Sequence, residues 1–198
     1  MIETERLLIR PFFATDVDEL YCLVYADFEV RDAWSDARET PEAFRRRFST
    51  SKLWHAEDGF GFRALLRKED KALMGLMGFQ RYTPDEDTSY IVFENGSSPV
   101  GCNPNVVEVE LTYALGRPYW KQGYATEAGK ALIAEGFACL GIHRIINAVS
   151  PLNLNSINLM KRLGFRILPN YHPGDLAKYG RRGVLGILEN HRKDKNNR

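Results

Sequence analysis

Residues 106–163 switch between strand-like and helix-like hydrophobic spacing, and this constrains the fold more than any other feature of the chain. Along Val106 to Leu115, Glu108, Glu110 and Thr112 fall on one face of an extended segment while Val109, Leu111 and Tyr113 fall on the other. Two carboxylates thus sit on what reads as a central strand. The spacing then predicts a helix over Ala125–Leu140, an apolar strand over Arg144–Val149 and a second helix over Asn155–Leu163. Gly164 ends that helix, Lys161 and Arg162 suit the negative end of its dipole, and Phe165 to Leu168 restarts a strand. The result is a strand-helix-strand-helix unit.

Shorter elements precede it. A strand is predicted at Leu7–Phe12, and Thr15 with Asp18 three residues on marks a helix start that aligns Val17, Leu20, Tyr21 and Val24. Thr40 caps and Pro41 opens another helix, on which Phe44 and Phe48 point the same way. Arg45, Arg46 and Arg47 between them read as a solvated face and receive no role. Phe62–Leu66 and Leu73–Phe79 form a hairpin across the polar turn Lys68–Lys71. A loop rich in Pro, Asp, Ser, Gly and Asn runs over Thr83–Asn105, with a candidate strand at Tyr90–Phe93 and a turn at Asn95-Gly96-Ser97. Gly183–Leu188 supplies a last strand. With 198 residues, 44% hydrophobic and 27% charged, the chain suits one domain over 1–190, followed by a polar tail, 191–198, expected to fray.

Several classes of function drop out. A formal net charge of +1 speaks against nucleic acid as the main partner, so any anion is bound locally. Cys22, Cys102 and Cys139 are odd in number and widely spaced, which fits a reducing compartment rather than a disulfide framework or a zinc site. The opening MIETERLLIRP carries charges where a signal peptide needs an apolar run, and no segment is long and apolar enough to span a bilayer. A cytoplasmic protein without a membrane partner is expected. His55, His172 and His191 make no metal spacing, and His143 at the entrance to a strand reads as packing, so no metal is expected.

The most informative stretch is Trp120-Lys121-Gln122-Gly123-Tyr124-Ala125-Thr126-Glu127-Ala128, between the Glu-bearing strand and the helix that follows. At a helix N-terminus the first amide protons lack intrahelical partners and the dipole is positive, so a loop wrapping back there aims N–H groups at an anion. Gly123 lets the backbone come close and Lys121 adds one charge. A pyrophosphate suits this arrangement without a basic domain; a plain tight turn capping a helix is the alternative. Gly59-x-Gly61-x-x-Ala64 imitates a dinucleotide fingerprint in spacing only, since polar Glu57 and Asp58 precede it and a strand follows it.

At these residues the chain resembles the GNAT N-acetyltransferases, and within them the branch of ribosomal-protein N-terminal (alanine/serine) acetyltransferases. The resemblance covers nearly the whole chain. It rests on Thr4-Glu5-Arg6-Leu7-Leu8-Ile9-Arg10-Pro11, on the loop Tyr119 to Ala128, and on Asn153-x-x-Ser156 leading to Lys161-Arg162-Leu163-Gly164-Phe165. The family's loop pattern places Gly123 and Ala125 in register, with Trp120 in a first position usually held by Arg or Gln. The resemblance implies an α+β fold, a mixed and mostly antiparallel central sheet splayed between two parallel strands, Val106–Leu115 and Arg144–Val149, with helices on both faces. It implies acetyl-CoA as cosubstrate, bound by Leu115, Lys121, Gln122, Gly123, Tyr124, Ala125, Thr126 and Asn153, the last through the pantetheine arm.

For chemistry, the resemblance favours direct acetyl transfer to a protein or peptide N-terminal α-amine. A small-molecule amine as acceptor and a non-catalytic CoA-binding module are the alternatives, and either a monomer or a homodimer is compatible. Glu110 is the candidate general base, with Glu108, Tyr113 or a water chain in reserve; both glutamates could instead pair with basic residues on neighbouring strands. Ser156 is either a proton donor to the thioester sulfur or a residue that starts the helix. A thiol with a pKa of about 8.5 leaves with little acid help. Backbone N–H groups near Leu115 would hold the thioester oxygen. The acceptor cleft is expected from the loops Asp27–Glu39 and Tyr171–Arg182.

Overall fold

The computed structural model describes residues 1–34, 39–51, 54, 59–81, 93–94, 98–99, 108–171 and 173–190. The first elements are β1 (Ile2–Glu3), β2 (Leu7–Arg10), α1 (Val17–Leu20), α2 (Phe28–Trp34), α3 (Pro41–Thr50), β3 (Gly61–Arg67) and β4 (Leu73–Arg81). After them come β5 (Phe93–Glu94), β6 (Ser98–Pro99), β7 (Glu108–Leu115), α4 (Tyr124–Cys139), β8 (Arg144–Val149), α5 (Leu154–Arg162), β9 (Arg166–Asn170), α6 (Pro173–Tyr179) and β10 (Gly183–Glu189). Eight strands are hydrogen-bonded in the order β1-β2-β3-β4-β7-β8-β10-β9, and β5 pairs with β6 separately. β7 and β8 run parallel, whereas β1-β2, β2-β3, β3-β4, β8-β10 and β9-β10 are antiparallel. This is the mixed, mostly antiparallel α/β architecture expected from the sequence.

The chain forms two compact units, Met1–Gln80 with Leu111–Glu135, and Arg81–Glu110 with Gly136–Arg198. In the first, β3 and β4 are buried almost throughout rather than alternately, as strands covered on both faces must be. Their neighbours include Phe44 and Phe48, one helical turn apart on α3, and the wholly buried Trp54. Thr40 caps α3 by accepting the Ala43 N–H. A Cβ on Gly75 would overlap the Ala114 carbonyl oxygen, so only glycine allows that close backbone approach. In the second unit Ile146, Leu185 and Ile187 form one apolar face with Ala148 and Leu168 packed against them. Asn190 closes the end of α4 by donating to the carbonyls of Phe137 and Ile142.

Four sequence expectations are corrected. The first helical stretch starts at Ala14, with Phe13 as its N-cap, rather than at Thr15, because the Asp16 carboxylate accepts both the Phe13 N–H and the Arg10 guanidinium. The stretch is a 3-10 turn, then α1, then a wider π turn over Tyr21–Ala26. Arg45 and Arg46 are exposed as expected, but Arg47 donates to Glu39 and to the Tyr25 hydroxyl and lies 5.4 Å from the Trp54 ring centroid. Three residues after Phe44, it shares the flank of the apolar stripe. The segments expected as acceptor loops contain the helices α2 and α6. The candidate strand at Tyr90–Phe93 is described only from Phe93 onward; the Asn95 turn and the tail 191–198 lie outside the described residues.

Candidate active site

Beyond β7 the chain makes a 3-10 turn over Arg117–Tyr119 and enters α4 at Tyr124. The Gly123 carbonyl accepts the Glu127 N–H at 3.0 Å, so the amides of Tyr124 and Ala125 precede the intrahelical ladder. Lys121 (φ 59°) and Gly123 (φ 86°) both adopt the left-handed conformation. For Lys121 that conformation is strained, which is a common mark of a ligand-binding turn. Lys121, Gln122 and Gly123 are exposed, and the nearest atom to a Cβ added at Gly123 is Arg6 Nη2, 3.4 Å away. Trp120 Nε1 donates to the Leu115 carbonyl and Gln122 Nε2 to the Pro118 carbonyl, each at 2.6 Å. These side chains brace the loop itself, so an anion approaching the turn would meet its backbone amides. An open glycine turn at a helix N-terminus fits a pyrophosphate.

Sequence reasoning missed what holds this loop. Arg6 and Thr4 both bond Glu127 in the first turn of α4, and Arg6 also donates to the Gln122 carbonyl. All three residues stand in the quoted motifs, but nothing in their spacing shows that they meet. On the other side, Arg117 pairs with Asp27 at 2.5 Å and with Glu29 at 3.1 Å, tying the turn to the start of α2.

In the second unit, the parallel ladder pairs Glu108 with Arg144, Val109 with Ile145 and Glu110 with Ile146. Ile146 in turn faces Ile187 on β10. Glu110 therefore shares an apolar sheet face. Although part of the residue meets solvent, burial pushes its carboxyl up; the Ala148 N–H, donating to it from two residues beyond the last ladder pair, pulls it down, and it titrates at about 7. No cation among the described residues offsets the burial. Glu108 starts β7; its side chain lies outside the described residues. Asn153 caps α5, its Oδ1 accepting the Ser156 N–H at 3.0 Å, and Ser156 is buried. The Ser156 amide thus starts the helix, while its hydroxyl is a separate group. Tyr113 is half-buried on β7, and the His143 carbonyl accepts the Asn190 N–H. Among the described residues no cluster of His, Cys, Asp or Glu is placed to hold a metal ion, and no helix is long and apolar enough to cross a membrane.

The "Acetyltransferase (GNAT) domain" family description matches residues 6–166, which include the loop, Glu110, Asn153 and Ser156. The chain belongs to the GNAT acetyltransferases. It is 30% identical over 164 residues to an uncharacterized N-acetyltransferase, p20, of Bacillus licheniformis, covering 82% of this chain and 80% of that one. Its fold is similar to that of RimL, a ribosomal L7/L12 alpha-N-protein acetyltransferase in complex with coenzyme A, with TM-score 0.67, 14% identity and coverage of 94% and 95%. It is also similar to that of AAC(6')-Ib in a complex with acetyl-CoA, with TM-score 0.65, 16% identity and 98% of both chains covered. This GNAT chain is accordingly an acyltransferase that uses acetyl-CoA.

Proposed function

We propose that this GNAT enzyme acetylates the α-amine of a protein or peptide N-terminus, with Glu110 as general base. Likeness of fold does not choose the acceptor, since RimL and AAC(6')-Ib share it. The observation that carries the choice is the Glu110 carboxyl, pushed up to about 7 by burial with no cation among the described residues to offset it. A base titrating there is matched to an α-ammonium of pKa about 7.7 to 8.0, whereas a lysine ammonium at about 10.4 is far harder for it to deprotonate.

Acetyl-CoA supplies the activated acetyl group. Lys121, Gln122 and Gly123 with the amides of Tyr124, Ala125 and Thr126 bind its pyrophosphate, and Asn153 hydrogen-bonds its pantetheine arm. Glu110 takes a proton from the incoming ammonium, directly or through a water, so that a neutral amine attacks. The amide at Leu115 steadies the thioester oxygen as negative charge develops, and Ser156 can return a proton to the sulfur.

The test is release of free coenzyme A thiol with three acceptor sets: peptides with a free N-terminus, the same peptides N-blocked but carrying a lysine, and a panel of small amines. Turnover is expected with the free N-termini and not with the blocked peptides. Small amines turning over about a hundredfold faster than any peptide would overturn the choice of acceptor.

A further inference from the structure

The opening segment of the chain grips the start of α4. One oxygen of Glu127 accepts the Thr4 hydroxyl at 2.5 Å and the Arg6 backbone N–H at 2.8 Å; the other accepts Arg6 Nε at 2.8 Å and Nη2 at 2.7 Å. Arg6 Nη1 reaches the Gln122 carbonyl at 3.0 Å, and the guanidinium carbon stands 4.6 Å from the Tyr124 ring centroid. The Thr4 hydroxyl oxygen also accepts the Leu7 N–H at 3.0 Å, which anchors the grip to β2. Burial alone would raise the Glu127 carboxyl, but the Thr4 hydroxyl, the Arg6 amide and the Arg6 guanidinium outweigh it and hold it below the usual range.

We infer that Arg6 and Glu127 are positioning residues that hold the pyrophosphate loop in its binding shape, one guanidinium spanning Gly123 from the Gln122 carbonyl to the Glu127 carboxylate. The inference rests on the coenzyme reading of that loop. Lys121 and Gly123 are both left-handed, and a free turn would leave that conformation for commoner ones. A guanidinium has the rigid fork needed to hold two acceptors at once, with the Tyr124 ring fixing its plane. Without the grip, the loop would have to be ordered at each binding event, which lowers affinity. Glu127 gives the sharpest contrast. A carboxylate near a pyrophosphate repels it, so removing its charge should by simple electrostatics tighten binding. The positioning role demands the opposite.

The experiment is steady-state kinetics with acetyl-CoA and with S-acetylpantetheine, which lacks the pyrophosphate, for wild type, Arg6→Met, Arg6→Lys, Glu127→Gln and Gly123→Val. Folding is checked by thermal melting. Arg6→Met and Glu127→Gln should each raise the KM for acetyl-CoA about tenfold, leave its kcat within about twofold, and lower the preference for acetyl-CoA over S-acetylpantetheine about tenfold. Arg6→Lys should restore little of this. Should Arg6→Met fail to fold, the near-isosteric Glu127→Gln decides alone. A Glu127→Gln enzyme with unchanged or tighter acetyl-CoA binding overturns the proposal, as does an equal loss with both donors. If Gly123→Val raises the KM while the Arg6 and Glu127 variants do not, the positioning role fails and the coenzyme reading stands; if Gly123→Val also changes nothing, both fail.

Discussion

In Glu110→Gln the side chain keeps its shape, retains an oxygen for the Ala148 N–H and loses its charge. If Glu110 is the base, turnover at neutral pH falls by about a hundredfold or more, recovers as the pH rises toward the amine's own pKa, and leaves coenzyme affinity unchanged. Wild-type kcat/KM should decline below about pH 7 as the carboxyl protonates. Stability moves in the other direction. The folded carboxyl titrates at about 7 against an ordinary value of 4.5, so between these the folded state holds the proton more tightly than the unfolded one. Stability from this group is present at low pH and is lost as the pH climbs from 4.5 through about 7. Melting curves should therefore show Glu110→Gln and wild type alike near pH 4 and the variant more stable near pH 8. Alternation along β7 put Glu108 and Glu110 on one face, and nearness to the loop together with the family resemblance favoured Glu110; its apolar neighbours Ile146 and Ile187 come from other strands and were not readable.

At the scale of single elements, the turn into α4 separates folding from binding. Gly123→Val places a branched side chain at φ 86° and blocks close approach to the amides, so affinity for acetyl-CoA should drop in calorimetric titration. Ala125→Asp puts a carboxylate in the first turn, which suits the helix dipole but repels a pyrophosphate. Its melting temperature should hold or rise while affinity falls; unchanged affinity in both variants would remove the coenzyme from this loop. Asn153→Ala should lose about 1 kcal/mol of stability with the cap and a further 0.5 to about 1.5 kcal/mol of coenzyme binding, with turnover falling alongside. Elements with strong local signals were legible: β8 has the predicted bounds, and α3 has its predicted cap. The short α2 and α6 carry too few turns to show a stripe, and α6 opens with Pro173-Gly174, which reads as a loop.

Across the whole molecule, the largest stability effect is expected where chain-distant rings meet. Trp54 is fully buried, within 5.6 Å of the Phe12 and Phe44 rings and 4.9 Å of the Phe62 ring. Trp54→Ala should cost about 3 to 5 kcal/mol in a denaturant titration of the first unit's signal. The sequence by itself determined the order of the elements from β7 to α5, the cap at Thr40, the glycine turn before α4 and the carboxylate on β7, because each is written in residues a few positions apart. Only the tertiary structure decided that Arg6 meets Glu127 across 121 positions, that Arg47 lies against an aromatic flank, and that burial pushes Glu110 up to about 7. The reason is physical. Periodicity records which way a side chain faces along its own element, whereas a charge's partner and its loss of water depend on which distant segments the chain brings against it.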